Sequence, residues 1–143
     1  MKKRVFALMC AIIIAITAVG AVGIEEIIPY ASAYLDSYSV SLGAKGNGRM
    51  NVSMTVDGVG VQDRIGVLAI NIDEKINGTW YAYEDAYSTE NPDFIETNSR
   101  DYVGSYSFYG TPGRQYRVTI TAYARKGSGS DTGTVTSPVV TCR

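Results

Sequence analysis

Apolar and polar residues alternate strictly along the stretch from Gln115 to Arg125. One face of the predicted strand carries the mainly apolar residues Tyr116, Val118, Ile120, Ala122 and Ala124. The other face carries Gln115, Arg117, Thr119, Thr121 and Tyr123. A period of two residues is typical of a strand that buries one face in an antiparallel sheet. The tight turn Thr111-Pro112-Gly113 precedes this run. The pattern therefore predicts a half-buried strand that is entered through a tight turn.

The same alternation predicts two hairpins nearer the N-terminus. The runs Tyr34 to Lys45 and Arg49 to Val56 flank Gly46-Asn47-Gly48, residues that tolerate the positive φ angles of a tight turn. A second hairpin follows the run Val67 to Lys75, because Asn77-Gly78 is the strongest short-range hairpin signal in the chain.

A two-residue loop at Asn77-Gly78 fixes the register of the second hairpin. It pairs Lys75 with Trp80, Asp73 with Ala82, and Ile72 with Tyr83. Trp80 then lies on the outer face of the sheet, beside Lys75 and Asp73. The opposite face, which we expect to be the core side, carries Leu68, Ile70, Ile72, Tyr81 and Tyr83.

The region after this hairpin is less regular. Glu84 to Arg100 is acidic and poor in apolar residues, and we interpret it as a long surface loop with room for one short edge strand. Asp101 to Tyr109 regains strand character and is expected to bury Tyr106 and Phe108.

The C-terminal part closes the predicted fold. Lys126 to Asp131 is interpreted as a flexible hairpin loop and Thr132 to Cys142 as a last strand, which Pro138 confines to an edge. About seven strands without helical periodicity predict an all-β, antiparallel two-sheet sandwich. A closed barrel is the alternative, but it would leave Pro138 no edge to occupy.

Two resemblances add to this pattern. Gly110 to Arg125, with its Pro-Gly turn before Tyr-Arg-Val, resembles the tyrosine corner of fibronectin type III and related immunoglobulin-like domains. The run Ala124 to Thr136 resembles the last hairpin of fibronectin type III domains. This resemblance implies a sandwich in which the strand Gln115 to Arg125 lies antiparallel beside Val67 to Lys75. Ser37 to Gly48 resembles a segment of short exported proteins of Gram-positive bacteria, which implies location rather than chemistry.

The first 33 residues have the features of a signal peptide. Lys2-Lys3-Arg4 precedes an apolar run from Val5 to Ile24, and Ala31-Ser32-Ala33 offers the small residues that a signal peptidase accepts. We expect cleavage after Ala33, which leaves one domain, residues 34–143. The apolar run approaches the ~20 residues that span a bilayer, so a retained membrane anchor is the alternative. In both cases the basic cluster stays inside and the domain faces outward.

Composition excludes several kinds of chemistry. The chain contains no histidine, which excludes a Ser-His-Asp triad, a Cys-His pair and imidazole metal ligands. No Gly-rich phosphate loop joins a strand to a helix. The 13 Lys and Arg are scattered among 14 Asp and Glu, which argues against nucleic acid as a partner. We expect no cofactor, no metal and no enzymatic activity.

The single remaining cysteine and the acidic residues each allow two interpretations. Cys142 is the only cysteine after the predicted cleavage point, so it forms no internal disulfide; we expect it in a fraying tail, with pairing between chains as the alternative. The acidic residues near the long loop are Glu84, Asp85, Glu90, Asp93, Glu96 and Asp101. Paired catalytic carboxylates or a calcium site would need fixed geometry, and no spacing matches an EF-hand, so we favour a solvated surface loop.

Trp80 is the main candidate for binding. The strand order implied by the immunoglobulin-like resemblance brings Arg117 and Gln115 near Asp73, so that Asp73, Lys75, Trp80 and Arg117 would form one exposed group, here called the Trp80 patch. An indole beside polar donors can stack on a sugar ring or anchor a partner protein. The alternative is a tryptophan packed on cationic side chains without any ligand.

The chain is also rich in tyrosine, with 11 residues. Tyrosine is favoured both in strands and in adaptable binding surfaces. We assign one set to the core or its rim: Tyr38, Tyr81, Tyr83, Tyr106 and Tyr116. We expect the other set to be free to meet a partner: Tyr87, Tyr102, Tyr109 and Tyr123.

These features together predict an exported, non-catalytic recognition module, secreted or at the cell surface. It would be a monomer that binds a glycan or a protein and touches the membrane only through an uncleaved N-terminal segment. A structural subunit that assembles through strand edges is the first alternative. A secreted toxin or antimicrobial protein is less favoured, because no cationic amphipathic stretch follows the signal.

Overall fold

The computed structural model describes residues 24–27 and 32–143. The predicted signal peptide therefore lies outside the described residues, except for residues 24–27 and the two residues before the expected cleavage point. Among the described residues, no helix has the length and apolar character needed to cross a bilayer.

The described chain consists of eight strands and one short 3₁₀ turn. The strands are β1 (Ile24–Ile27), β2 (Leu35–Gly46), β3 (Arg49–Ile76), β4 (Thr79–Tyr87), β5 (Ile95–Tyr109), β6 (Gln115–Lys126), β7 (Gly129–Thr136) and β8 (Val140–Thr141), and the 3₁₀ turn is Pro92–Phe94. All strand pairs are antiparallel. The prediction of an all-β, antiparallel fold is confirmed.

Both predicted hairpins are present. Asn47-Gly48 joins β2 to β3, and Asn77-Gly78 joins β3 to β4. Asn47 has a φ of 55° and Asn77 a φ of 51°, the positive values that two-residue hairpin loops require. Local turn chemistry therefore accounts for the position of these two turns and for the pairing next to them.

The long strand β3 organises the sheet. Its first half pairs with β2 on one edge and with β5 on the other. Its second half pairs with β6 on one edge and mainly with β4 on the other. The sequence predicted two separate strands here, broken at Asp57–Gly60, but the chain makes only a register shift between Asp57 and Gln62 and continues. The described residues therefore form one continuous curled sheet, and a second, separate sheet is not seen among them.

The corner of β3 is held by a buried side chain. Gln62 is 1% exposed, and its Nε2 donates hydrogen bonds to the carbonyl oxygens of Val59 (3.0 Å) and Gly60 (3.2 Å). The buried amide N–H groups of Gln62 need such partners, because an unpaired polar group away from water is costly. The glutamine thus stabilises the irregular segment that lets β3 continue through both halves of the sheet.

The curl of the sheet creates the core. β2 contacts β6 and β7 without being hydrogen-bonded to either, so the apolar faces of the two halves meet. Ile70, Val118 and Ile120 are each 0% exposed, as the alternation predicted. Each such side chain contributes roughly 1.5–3 kcal/mol by leaving water.

Glycines on β7 allow β2 to approach closely. A Cβ at Gly129 would lie 1.7 Å from the Tyr34 hydroxyl oxygen, and one at Gly133 would lie 2.3 Å from that of Tyr38. Any larger residue at either position would collide with a tyrosine ring. The fit between two tyrosines and two glycines fixes the position of β2 over β7.

Two irregular positions contradict the predicted faces. The register between β3 and β6 shifts between Val67 and Ala69, so Leu68 is only half-buried while Val67 is fully buried. The β3–β4 register shifts between Ile72 and Asp73, so Ile72 pairs with Glu84 instead of the predicted Tyr83. Strict alternation cannot reveal such bulges, because a bulge adds one residue without changing the local composition.

Several tyrosines differ from their predicted burial. Tyr81 is 53% exposed and Tyr83 is 39% exposed, because β4 pairs only with β3 among the described strands and forms an edge. Tyr102, expected to be free, is 2% exposed. Tyr106 is half-buried, while Tyr38, Tyr116 and Phe108 are buried as predicted.

The predicted long loop is mostly strand. β4 extends to Tyr87 and β5 begins at Ile95, which leaves only residues 88–94 between them. This short connection is tied down by Phe94, which is 2% exposed. The predicted flexible loop at Lys126–Asp131 is likewise reduced to two turn residues, since β7 begins at Gly129.

The C-terminal tail is part of the core. The predicted last strand is split at residues 137–139, and β8 pairs with β6 rather than continuing β7. Cys142 is 2% exposed, and its backbone N–H donates to the Arg114 carbonyl oxygen at 2.8 Å. The expectation that Cys142 lies in a fraying tail is wrong, and its burial also argues against a disulfide to another chain.

Candidate functional site

The Trp80 patch begins with the register of the β3–β4 hairpin. Lys75 pairs with Trp80 and Asp73 with Ala82, as the two-residue turn predicted. Directly paired residues lie on the same face of a sheet. Trp80 therefore shares the outer face with Lys75 and Asp73, opposite the core face that carries Ile72.

The pairing of β3 with β6 completes the patch. Asp73 pairs with Arg117, and Lys75 pairs with Gln115. The Arg117 Nε donates to Asp73 Oδ2 at 3.1 Å. The four residues singled out in the sequence are thus adjacent in the fold, on three neighbouring strands.

The indole of Trp80 lies against two cations. The guanidinium carbon of Arg117 is 4.3 Å from the ring centroid, and the Lys75 Nζ is 5.6 Å from it. Both distances fall within the range of cation–π attraction. Arg117 is therefore oriented by Asp73 on one side and by the indole on the other, and Trp80 is only partly exposed.

An open depression adjoins the patch at the end of the sheet. It has a volume of about 470 Å³ and lies between the Asn77-Gly78 turn and Gly113. Lys75 and Gln115 line it, so it is continuous with the Trp80 patch. Sequence analysis did not predict this depression, because its two walls are turns that are more than thirty residues apart.

An ion pair with one buried partner adjoins this depression. Glu74 is 5% exposed and accepts a hydrogen bond from Nη1 of Arg114, which also lines the depression. This bond raises the pKa of Arg114. An unpaired carboxylate at the position of Glu74 would be costly, so the arginine has a clear structural role.

Aromatic rings pack behind the same end of the sheet. The ring centroid of Tyr83 lies 5.3 Å from that of Tyr116, edge to face, and the ring centroid of Phe108 lies 5.6 Å from that of Tyr116. The Tyr116 hydroxyl oxygen accepts a hydrogen bond of 2.7 Å from the backbone N–H of Thr111. This bond fixes the turn that leads into β6, which forms one wall of the depression.

Two tyrosine hydroxyls on β5 have strongly raised pKa values. The hydrogen bond from Tyr106 to Glu84, together with burial, raises the pKa of Tyr106 to about 12. Burial, followed by the charges of Asp93 and Glu96, raises the pKa of Tyr102 to about 12. Both shifts favour the neutral phenol at physiological pH, so neither group is poised as a base.

The acidic residues do not gather into a cation site. Within the part of the chain that the structure describes, no group of three or more Asp, Glu or Cys side chains could hold a metal ion. Glu84 accepts a hydrogen bond from Tyr106, and Asp85 accepts one from Asn71 at 2.8 Å. Asp85 thus links the paired strands β3 and β4, and Glu84 links β4 to β5, with which β4 is not paired.

Comparison of the chain with protein-family models, with curated proteins and with solved structures finds no match.

Proposed function

We propose that the protein is an exported, non-catalytic recognition module that binds a glycan or a protein through the Trp80 patch. The observation that carries this proposal is the convergence of Asp73, Lys75, Trp80 and Arg117 on one outer face beside an open depression. Aromatic and arginine side chains next to a concavity are the residues that dominate binding energy in protein interfaces.

We further propose that the curled sheet is an immunoglobulin-like sandwich related to fibronectin type III domains. The two halves of β3 can be counted as the second and third strands of the domain. One group of paired strands is then β2, the first half of β3 and β5. The other group is the second half of β3, β6 and β7. Immunoglobulin-like domains divide their first, second and fifth strands from their third, sixth and seventh in the same way. β4 borders the second half of β3, the place of the additional strand in variable-type domains.

The bond between Tyr116 and Thr111 supports the same fold. In a tyrosine corner, a tyrosine near the start of the sixth strand hydrogen-bonds to the backbone a few residues upstream. Tyr116 is the second residue of β6, and its hydroxyl is bonded to a backbone group five residues earlier. The ring also fills the space over Gly110, where a Cβ would lie 2.7 Å from its Cε2.

The proposal of export rests on the N-terminal sequence. A basic cluster, an apolar run and the small residues Ala31 and Ala33 have the order of a secretory signal. After cleavage the protein would be a secreted or surface domain of residues 34–143. The uncleaved alternative would hold the same domain at the outer face of the membrane.

The chemistry of the patch favours a ligand with a polar rim around an apolar face. Arg117 covers part of the indole, so the ligand would stack on what remains of Trp80 or contact its edge. Lys75 forms no ion pair within the described chain and lies at the rim of the depression, where it can donate to a ligand oxygen. Hydroxyl groups of a sugar or backbone carbonyls of a protein fit these donors.

Trp80 is the only tryptophan, so its fluorescence reports directly on the patch. The exported chain should be titrated with cell-wall glycan fragments and with candidate proteins while the emission of Trp80 is followed. Trp80→Ala should remove capture of the ligand in a parallel pull-down. Tyr87→Ala is the matched control, because Tyr87 is a 43%-exposed aromatic residue at the other end of the same strand. Equal capture by both variants would show that the patch is not the binding surface.

A structural subunit is the second candidate, and the exposure of β5 favours it. β5 pairs only with β3 among the described strands, and its Val103 and Tyr109 are 73% and 68% exposed. An open strand edge with apolar side chains can pair with another chain. Light scattering at increasing concentration distinguishes the candidates: a constant monomer mass excludes assembly through this edge.

A further inference from the structure

Asp131 on β7 collects hydrogen bonds from the segment that precedes β2. Its Oδ2 accepts from the Ser32 hydroxyl at 2.5 Å, from the Ala33 backbone N–H at 3.1 Å and from the Tyr34 backbone N–H at 3.2 Å. The carboxylate is held by its place opposite Ala124 in the β6–β7 ladder. The three donors span the bond between Ala33 and Tyr34, where the sequence predicts cleavage.

We propose that Asp131 is the binding site for the new amino terminus that cleavage creates at Tyr34. Hydrolysis of the Ala33–Tyr34 bond adds one water molecule: the hydroxyl goes to the Ala33 carbonyl carbon and a hydrogen goes to the Tyr34 nitrogen. That amine takes up a further proton at neutral pH and becomes an ammonium group. The inference rests on the proposed export, and it assigns a function to the aspartate that export alone does not require.

The position of Tyr34 depends on contacts that cleavage leaves intact. Its carbonyl oxygen accepts a hydrogen bond of 2.9 Å from the Val59 backbone N–H. Its ring lies over Gly129, two residues from Asp131 on the same strand. The next residue, Leu35, is 2% exposed and belongs to the core. The Tyr34 nitrogen therefore stays within reach of the carboxylate after residues 32 and 33 are gone.

Cleavage changes the partners of the carboxylate. Two donors, the Ser32 hydroxyl and the Ala33 N–H, leave with the signal peptide. The remaining donor changes from a neutral amide into a positive group with three N–H bonds. Hydrogen bonds between charged partners are stronger than neutral ones, so the ion pair offsets the two donors that Asp131 loses. It does not restore the hydrogen bond of 2.8 Å from the Leu35 backbone N–H to the Ser32 hydroxyl oxygen, which cleavage also removes.

The proposed ion pair between Asp131 and the Tyr34 ammonium also explains why Asp131, unlike the nearby Asp36, is partly buried and hydrogen-bonded. Asp36 lies two residues after Tyr34 and is exposed, and no side-chain hydrogen bond involves it. Asp131 is partly buried and, in the uncleaved chain, depends on residues that cleavage removes. Without a replacement donor, a partly buried carboxylate would be left with a single neutral amide.

The first measurement is the intact mass of the exported protein, which should correspond to a chain that begins at Tyr34. A start elsewhere would refute the predicted processing. The second measurement compares unfolding of two prepared forms that both begin at Tyr34, one with a free amino terminus and one with an acetylated amino terminus. In the acetylated form Tyr34 again presents a neutral amide to Asp131.

We expect the form with the free ammonium to have a folding equilibrium constant about tenfold larger than that of the acetylated form, as for a charge-assisted hydrogen bond. Asp131→Asn should remove this difference, whereas Asp36→Asn, the matched control, should keep it. A difference that survives Asp131→Asn, or the absence of any difference in the unchanged chain, would overturn the assignment whatever the mass measurement shows. The mass alone decides the processing, so the two parts of the proposal fail separately.

Discussion

The hydroxyl group of Tyr116 provides the sharpest test of the fold. Tyr116 is 0% exposed, and its hydroxyl accepts the Thr111 backbone N–H at 2.7 Å. Tyr116→Phe removes this acceptor and leaves the ring in place, so packing is nearly unchanged. The N–H then loses its partner in a partly buried site, which costs about 1–2 kcal/mol.

The assay is urea unfolding followed by circular dichroism. The midpoint should fall while the denaturant slope stays constant, because the surface exposed on unfolding is the same. The thermal midpoint should fall by about 4 °C for each kcal/mol lost in a domain of this size. Tyr109→Phe is the matched control, since Tyr109 is 68% exposed, and it should change the free energy of unfolding by less than about 0.5 kcal/mol.

A second variant tests the packing of the Tyr116 ring separately from the hydrogen bond of its hydroxyl group. A Cβ at Gly110 would lie 2.7 Å from Cε2 of Tyr116, so Gly110→Ala should destabilise the fold. In combination with Tyr116→Ala the added methyl group finds space, and the two effects should not add. Equal losses for Tyr116→Phe and Tyr109→Phe, or additive losses for the pair at Gly110 and Tyr116, would refute the role given to this corner.

Three further outcomes follow from the structure. Tyr102 and Tyr106 should ionise near pH 12 in an absorbance titration. Because their pKa values are higher in the folded than in the unfolded chain, the stabilisation from their neutral hydroxyl groups is complete below about pH 10 and is lost as the pH rises from 10 to 12. Tyr106→Phe should reduce this loss of folding free energy. Cys142 is 2% exposed and should resist a thiol reagent until the protein unfolds, so rapid labelling of the folded chain would contradict its place in the core. Arg117→Met should alter the emission of Trp80 and lower the free energy of unfolding by about 0.5–1 kcal/mol, whereas Arg125→Met on the same strand should leave the emission unchanged.

The arrangement of the Trp80 patch could be predicted from sequence because short-range rules govern it. Asn77-Gly78 fixes a two-residue turn, and alternation then assigns Trp80 and Lys75 to the same face. The place of Arg117 in the patch follows instead from the resemblance to immunoglobulin-like domains, which implies that the strand carrying Arg117 lies beside the strand carrying Asp73. The pairing of Asp73 with Arg117 confirms that strand order.

The errors arise where tertiary packing overrides local pattern. Leu68 lies at a bulge, and a bulge reverses the expected face of the residues on one side of it. Tyr83 lies at a second bulge, but its ring still packs against Phe108 and Tyr116, and it is partly exposed because β4 forms an edge among the described strands. Tyr102 is buried, although its sequence neighbours Asp101 and Val103 are both exposed. The acidic region from Glu84 to Arg100 contains few apolar residues, but pairing with β3 still makes most of it strand.

The contact between Arg117 and Trp80 bears on the choice between a binding patch and a purely structural one. The guanidinium is held by Asp73 and lies 4.3 Å from the indole centroid, so the contact stabilises the outer face without any ligand. A ligand that stacked on the same side of the ring would have to displace Arg117 and break its bond to Asp73. A ligand that approached from the depression would meet Lys75 and Gln115 and leave this pair intact. Recognition from the depression is therefore the less costly arrangement, and it keeps the indole rigid while the cation at Lys75 remains available for the ligand.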